Sequence, residues 1–142
     1  MEEFDRLCDR ARACAVRGRY ADAERAFRAA LAMRPGEARL SVELAQVLRR
    51  LRRPAGAESH LRDALVQAPG LASTHAELGA ILFEQGRAAE AAIAYGEAVR
   101  LRPDFAKAHL ALGLALERAG DFAGAEVALR EAARLKPADA LA

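Results

Sequence analysis

The sequence AKAHLALGLALERAGDFAGAEVALREAARLKP, residues 106–137, has a near copy in ASTHAELGAILFEQGRAAEAAIAYGEAVRLRP, residues 72–103. The two copies begin 34 residues apart, and the same interval separates four prolines: Pro35, Pro69, Pro103 and Pro137. A fixed period of this length is typical of a stacked repeat array. Because each unit of such an array contacts its neighbours, the array offers an extended surface on which other molecules can bind.

Whole columns of residues keep this period. A column of small residues comprises Ala23, Ala57, Ala91 and Ala125, and a bulky column follows it at Phe27, Leu61, Tyr95 and Leu129. Within each unit the apolar residues recur at helical spacing, which predicts two amphipathic helices per unit. Glycines at positions 18, 86 and 120 lie where the first helix of a unit must end, and each proline lies where the second helix must end.

This pattern resembles the tetratricopeptide repeat (TPR), whose signature is W-x2-L-G-x2-Y, then A-x3-F, then P over 34 residues. The clearest copy consists of His109, Leu112, Gly113, Leu116, Ala125, Leu129 and Pro137. The slot of the signature tryptophan holds Leu7, Ser41, His75 and His109. The resemblance implies an all-α, right-handed superhelical solenoid of about eight helices in antiparallel pairs.

We predict one TPR domain over residues 1–142, with units at about 4–37, 38–71, 72–105 and 106–139. Residues 140–142 align with the opening of a unit, so they predict the start of a truncated fifth one. Solenoids need a polar cap over their last unit. We therefore predict end-to-end self-association through apolar residues of the last helices, including Val127 and Leu135.

The turn in the second unit differs from the others, because Arg52 replaces the glycine and Pro54 follows it closely. Two alternatives are open. Arg52 adopts the left-handed backbone at a cost of about 1 kcal/mol, or the turn takes another shape. Proline suits the first position of the next helix in either case.

Members of the TPR family bind partners on a concave surface that is lined mainly by the first helix of each unit. The resemblance therefore implies a non-catalytic module that binds a partner peptide or helix. The predicted groove residues are Arg12, Arg39, Val42, Gln46, Arg49, Arg50, Ala76, Ala80, Phe83, Glu84, Lys107, Leu110, Leu114, Glu117 and Arg118. The alternative is that the chain is the N-terminal repeat arm of a larger bacterial, transferase-like enzyme.

The N-terminal half of the predicted groove is more basic than its C-terminal half. The first 71 residues hold 14 basic and 10 acidic side chains, and the cluster Arg49, Arg50, Arg52 and Arg53 lies at the end of the first helix of unit two. The cluster is either an anion-binding patch or a set of cations that suits a helix C-terminus. We predict a protein or peptide partner with an acidic end and an apolar anchor. The formal net charge of only +2 argues against a nucleic-acid partner.

No catalytic, phosphate-binding or cofactor motif is found in the sequence, so we predict no enzyme activity and no cofactor. His75 and His109 occupy equivalent slots, where they either share a metal ion or replace an aromatic residue between helices. Cys8 and Cys14 are six residues apart on one predicted helix, about 9 Å along its axis, which predicts free thiols. We predict a cytoplasmic protein, because neither a secretory signal nor a membrane-length apolar run is present.

Overall fold

A computed structural model describes residues 2–136 of the chain. This part forms eight α-helices and contains no strand, which confirms the predicted all-α fold class. The helices are α1 (Glu3–Val16), α2 (Tyr20–Met33), α3 (Ala38–Arg50), α4 (Pro54–Gln67), α5 (Ala72–Glu84), α6 (Ala88–Leu101), α7 (Ala106–Ala119) and α8 (Phe122–Leu135). Pro137 and the predicted fifth unit lie outside the described residues.

Contacts divide the chain into two compact units, Met1–Pro69 with α1 to α4 and Gly70–Ala142 with α5 to α8. In the first unit α1 packs on α2, α3 packs on α4, and α2 contacts α3. In the second unit α5 packs on α6, α7 packs on α8, and α6 contacts α7. The predicted single domain, the unit bounds and the superhelical path of the whole array stay predictions.

The repeated glycines and prolines end the helices as predicted. Gly18, Gly86 and Gly120 have φ angles of 77°, 79° and 94°, in the left-handed region that glycine enters without a Cβ clash. Three of the four prolines lie two residues after the last residue of a helix, at Pro35, Pro69 and Pro103. A proline there cannot continue the helix, because it lacks the amide donor that the helix requires.

Arg52 adopts the same left-handed backbone, with φ at 60°. The amide of Arg53 donates to the carbonyl of Leu48 at 2.9 Å, and the amide of Arg87 makes the equivalent bond to Leu82 at 2.9 Å. Such a bond back across the last turn is typical of the Schellman motif. The second unit therefore keeps the common turn, and the first of the two alternatives for Arg52 is the one observed.

The repeated columns form the core. The small column Ala23, Ala57, Ala91 and Ala125 is at most 3% exposed. In the bulky column Phe27, Leu61 and Tyr95 are buried, whereas Leu129 is half-buried. Burying one large apolar side chain of this kind contributes about 1.5–3 kcal/mol, so the columns carry much of the stability of each unit.

Glycine in the signature position lets paired helices approach closely in the second unit. A Cβ atom added to Gly79 would lie 2.9 Å from ring atoms of Tyr95 on α6. A Cβ atom added to Gly113 would lie 2.6 Å from the Leu129 side chain and 3.3 Å from the carbonyl oxygen of Ala125. All three distances are shorter than ordinary carbon contacts of about 3.5–4.0 Å, so these positions hold glycine for packing.

Candidate functional site

An apolar surface runs along two neighbouring helices of the second unit. It consists of Ala76, Ala80 and Phe83 on α5 with Leu110 and Leu114 on α7, and we call it the α5–α7 face. On α5 the spacing of four and three residues, and on α7 the spacing of four, places each set on one side of its helix. The two helices contact each other.

The leucines of this face are unusually accessible for their size. Leu110 is 48% exposed and Leu114 is 46% exposed, whereas Leu78 and Leu82 on the neighbouring α5 are 5% and 2% exposed. Phe83, Ala76 and Ala80 are half-buried. Several partly exposed apolar side chains in one place are typical of a binding surface, since single scattered ones are normal but clusters are not.

Charged residues of both signs border the α5–α7 face. The guanidinium carbon of Arg118 lies 5.0 Å from the centroid of the Phe83 ring, within the range of a cation–π contact. This contact joins α5 to α7 at one end of the face. Three further predicted groove residues on these two helices are exposed: Glu84, Lys107 and Glu117.

The first unit places predicted groove residues on α1 and α3, where an acidic side chain pairs with two of them. Arg12 donates from Nε and Nη2 to the two carboxylate oxygens of Glu43, at 2.8 and 2.9 Å. Arg39 lies 3.5 Å from the same carboxylate. The hydrogen bonds to Glu43 raise the pKa of the Arg12 guanidinium. This surface is therefore less basic than the count of arginines indicates, because one carboxylate offsets part of their charge.

The other predicted groove residues of the first unit lie along α3. Gln46 and Arg50 are exposed, and Val42 and Arg49 are half-buried. Arg49 and Arg50 stand in the last turn of α3, where the helix macrodipole favours cations. This position fits the helix-end interpretation, and the exposed side chain of Arg50 also fits the anion-binding one.

Cys8 is a buried residue of α1 that lies within the electrostatic influence of Arg12 and Glu43. Its side chain is buried, and burial raises the pKa of the thiol. A thiol with a raised pKa carries little of the reactive thiolate. Both cysteines are free, as predicted.

Within residues 2–136, no three or more side chains of His, Cys, Asp or Glu are grouped so that they could hold a metal ion. His109 instead contacts the carbonyl oxygen of Pro103 through Nε2 at 2.8 Å. No helix in the described part of the chain is long and apolar enough to span a membrane.

Three family models match the sequence: a tetratricopeptide repeat over residues 8–72, a TPR repeat over 79–120 and a tetratricopeptide repeat over 106–139. The chain belongs to the tetratricopeptide repeat family. Among curated proteins, none matches this TPR sequence.

Solved structures share the TPR fold. MamA 41-end from Desulfovibrio magneticus RS-1 is 24% identical, with a TM-score of 0.89 over 96% of this chain and 77% of that chain. YrrB, described as a TPR protein with an unusual peptide-binding site, is 22% identical, with a TM-score of 0.81 over 89% of this chain and 66% of that one. A mutant O-GlcNAc transferase from Thermobaculum terrenum is 28% identical, with a TM-score of 0.72 over 80% of this chain but 22% of that chain.

Glu43 makes an ion pair with Arg12 that the prediction of groove residues did not include. Its position four residues after Arg39 on one helix is a signal for an ion pair within α3. The pairing with Arg12 joins residues 31 apart, and no local spacing rule predicts it. Only the packing of the first unit brings those two side chains together.

Proposed function

We propose that the chain is a non-catalytic TPR module that binds a peptide segment of a partner protein on the α5–α7 face. The observation that carries this proposal is the pair Leu110 and Leu114, each nearly half exposed on α7, the helix whose Arg118 contacts the ring of Phe83. The peptide-binding site in the description of YrrB supports the same use of the fold.

The chemistry of the face indicates what the peptide must offer. An apolar anchor residue would cover Leu110, Leu114 and Phe83 and displace water from them, and such buried anchors supply most of the affinity in interfaces. Polar or charged neighbours of the anchor would meet Lys107 and Arg118 at the border. We expect micromolar affinity, about 8 kcal/mol, because a flexible segment must be ordered when it binds.

Acidic residues in the same partner are proposed to speed association through the arginines of α3. Electrostatic attraction acts over about 8–10 Å at physiological salt, so it affects encounter rates more than the final contacts. Arg50 is exposed at the end of α3 and contributes to this attraction together with Arg49. The Glu43 carboxylate weakens the contribution of Arg12 and Arg39.

A peptide-display selection against the purified chain tests the proposal. Selected peptides should share one large apolar residue flanked by acidic ones. Leu110→Ala and Leu114→Ala should each weaken their binding by about five- to tenfold, mainly through faster dissociation. Phe83→Ala should act in the same direction. The matched control is Ile93→Ala, which removes an exposed aliphatic side chain from α6, outside the face.

Equal effects of Leu114→Ala and Ile93→Ala would refute the α5–α7 face as the binding site. A separate variant, Arg49→Glu with Arg50→Glu, should slow association and flatten its dependence on salt. If the salt dependence stays unchanged, the arginines merely stabilise the end of α3, and the apolar part of the proposal stands alone.

A second candidate is that the chain serves as the repeat arm of a larger transferase-like protein, which would position a substrate or partner for catalysis. The match to a part of the Thermobaculum terrenum O-GlcNAc transferase favours it. Sequencing the gene on both sides of this coding segment tests this candidate. An open reading frame that continues into a catalytic domain would support it, and stop signals at both limits would contradict it.

A further inference from the structure

The first unit contains a cavity of about 270 Å³ that is open to solvent and lined by residues on or next to α2, α3 and α4; Pro35, Asp63 and Gln67 in its wall are exposed. It has both aliphatic and hydrogen-bonding walls. The residues that matter for its chemistry are Leu31, Pro35, Ser41, His60, Asp63 and Gln67. None of them belongs to the predicted groove, and the cavity lies in a different unit from the α5–α7 face.

The repeat explains why the cavity exists. Ser41 occupies the slot in which the TPR signature has tryptophan and in which later repeats of this chain have His75 and His109. Ser41 is only 3% exposed, so position 41 of α3 faces the packed helices although its side chain is small. A serine in the place of a ring leaves the volume of that ring unfilled.

The cavity also contains the counterpart of the hydrogen-bonding group that an aromatic ring in this slot contacts elsewhere in the chain. In the fourth repeat the His109 ring contacts the carbonyl oxygen of Pro103 at 2.8 Å. Pro35 is the counterpart of Pro103 in the repeat, and it lines the cavity. The Gln67 side chain donates to the Pro35 carbonyl at 3.4 Å, longer than the usual 2.7–3.2 Å. This carbonyl can therefore accept a shorter bond from a donor in the cavity.

The volume of the cavity and the polar groups that line it limit the class of ligand that it can bind. An enclosed apolar cavity of about 150 Å³ binds benzene. The solvent-open cavity of about 270 Å³ therefore has room for a fused two-ring system, whose outer edge stays in contact with water. The Asp63 carboxylate and the Pro35 carbonyl are acceptors, so the ring should carry a donor. Burial, together with the charge of Arg28, lowers the pKa of His60 and favours its neutral form. A ligand ring in the cavity therefore meets no positive charge on the His60 side chain.

We propose that this cavity binds an indole ring, with one face of the ring against Leu31 and its N–H directed to the carbonyl of Pro35. Two sources can supply the ring: a free small molecule or a tryptophan side chain of a peptide. The ligand would restore the aromatic packing that Ser41 does not provide. The proposal is independent of peptide binding on the α5–α7 face.

Fluorescence gives a direct assay, because the chain contains no tryptophan and the probe alone supplies the indole signal. Free indole should bind saturably with a blue shift, and N-acetyltryptophanamide tests whether a peptide-borne ring can enter. Saturable binding of both probes would support a tryptophan side chain as ligand, and binding of indole alone would support a small molecule. Absence of saturable binding by either probe would overturn the proposal.

Two comparisons test the site itself. 1-Methylindole, which lacks the N–H donor, should bind about fivefold more weakly than indole, as expected for one lost hydrogen bond. Ser41→His places in the slot the residue that the later repeats use, and it should weaken indole binding at least about tenfold. Ser73→His makes the same change at an exposed position of α5 and should leave binding unchanged.

A measurement on the unmodified chain keeps the proposal testable if Ser41→His does not fold. Ring-current shifts in the NMR spectrum should appear on the methyl groups of Leu31 and on His60 when indole is added. Shifts confined to other residues, or indole binding that Ser41→His leaves intact, would show that the ring binds elsewhere and would refute the proposal.

Discussion

Arg52→Gly is expected to stabilise the chain, because Arg52 is the only non-glycine residue within residues 2–136 that has a positive φ. Its φ of 60° falls close to the 77° of Gly18 and the 79° of Gly86 at the equivalent turns. The bond from the Arg53 amide to the Leu48 carbonyl, at 2.9 Å, shows that the turn is otherwise complete. The substitution therefore changes the backbone preference without rebuilding the turn.

The magnitude follows from two opposing contributions. A left-handed backbone costs a residue with a Cβ atom about 1–2 kcal/mol, and glycine removes this cost. Glycine also gives the unfolded chain more conformational freedom, which offsets about 0.5–1 kcal/mol of the gain. The exposed Arg52 side chain contributes little packing. We expect a net gain of roughly 0.5–1 kcal/mol in the free energy of unfolding.

Urea unfolding followed by circular dichroism measures this gain. Arg52→Ala is a matched control, since it removes the same charge but keeps the Cβ atom, and it should not stabilise the chain. Gly86→Arg is the reverse change in the next repeat and should destabilise by a similar amount. A neutral or destabilising Arg52→Gly, together with a harmless Gly86→Arg, would refute the argument that the left-handed backbone of Arg52 carries a cost.

Two further predictions concern packing and pH. Gly79→Ala should destabilise by roughly 1–3 kcal/mol, because its Cβ would lie 2.9 Å from the buried Tyr95 ring. Gly96→Ala, where a Cβ has nothing within 4 Å, should stabilise by roughly 0.5–1 kcal/mol in the same urea assay, and equal effects would contradict the packing argument. Burial and Arg28 lower the pKa of His60 from its ordinary 6.5, so the unfolded chain binds the proton more readily and stability should fall as pH drops below about 6.5. His60→Gln should flatten this part of a pH series of melts, and a profile identical to that of the unmodified chain would show that His60 does not contribute.

Much of the fold follows from local sequence. Apolar residues at helical spacing predict the helices, and glycine and proline predict where they end, because these two residues act on their own backbone geometry. The structure confirms helix ends at Gly18, Gly86 and Gly120 and before three of the four prolines. The predicted groove residues are harder to predict, since their positions follow from the family and their exposure follows from neighbours on other helices.

The sequence by itself determined the 34-residue period, the helices and the family, because these depend on residues close together in the chain and on their repetition. Tertiary structure alone decided that Glu43 would pair with Arg12, that Arg52 would take a left-handed backbone, and that Ser41 would line a cavity. Each of these outcomes depends on competition between contacts that meet only in the packed unit. A repeat predicts which positions correspond to each other, but only packing decides what one changed residue does to the space around it.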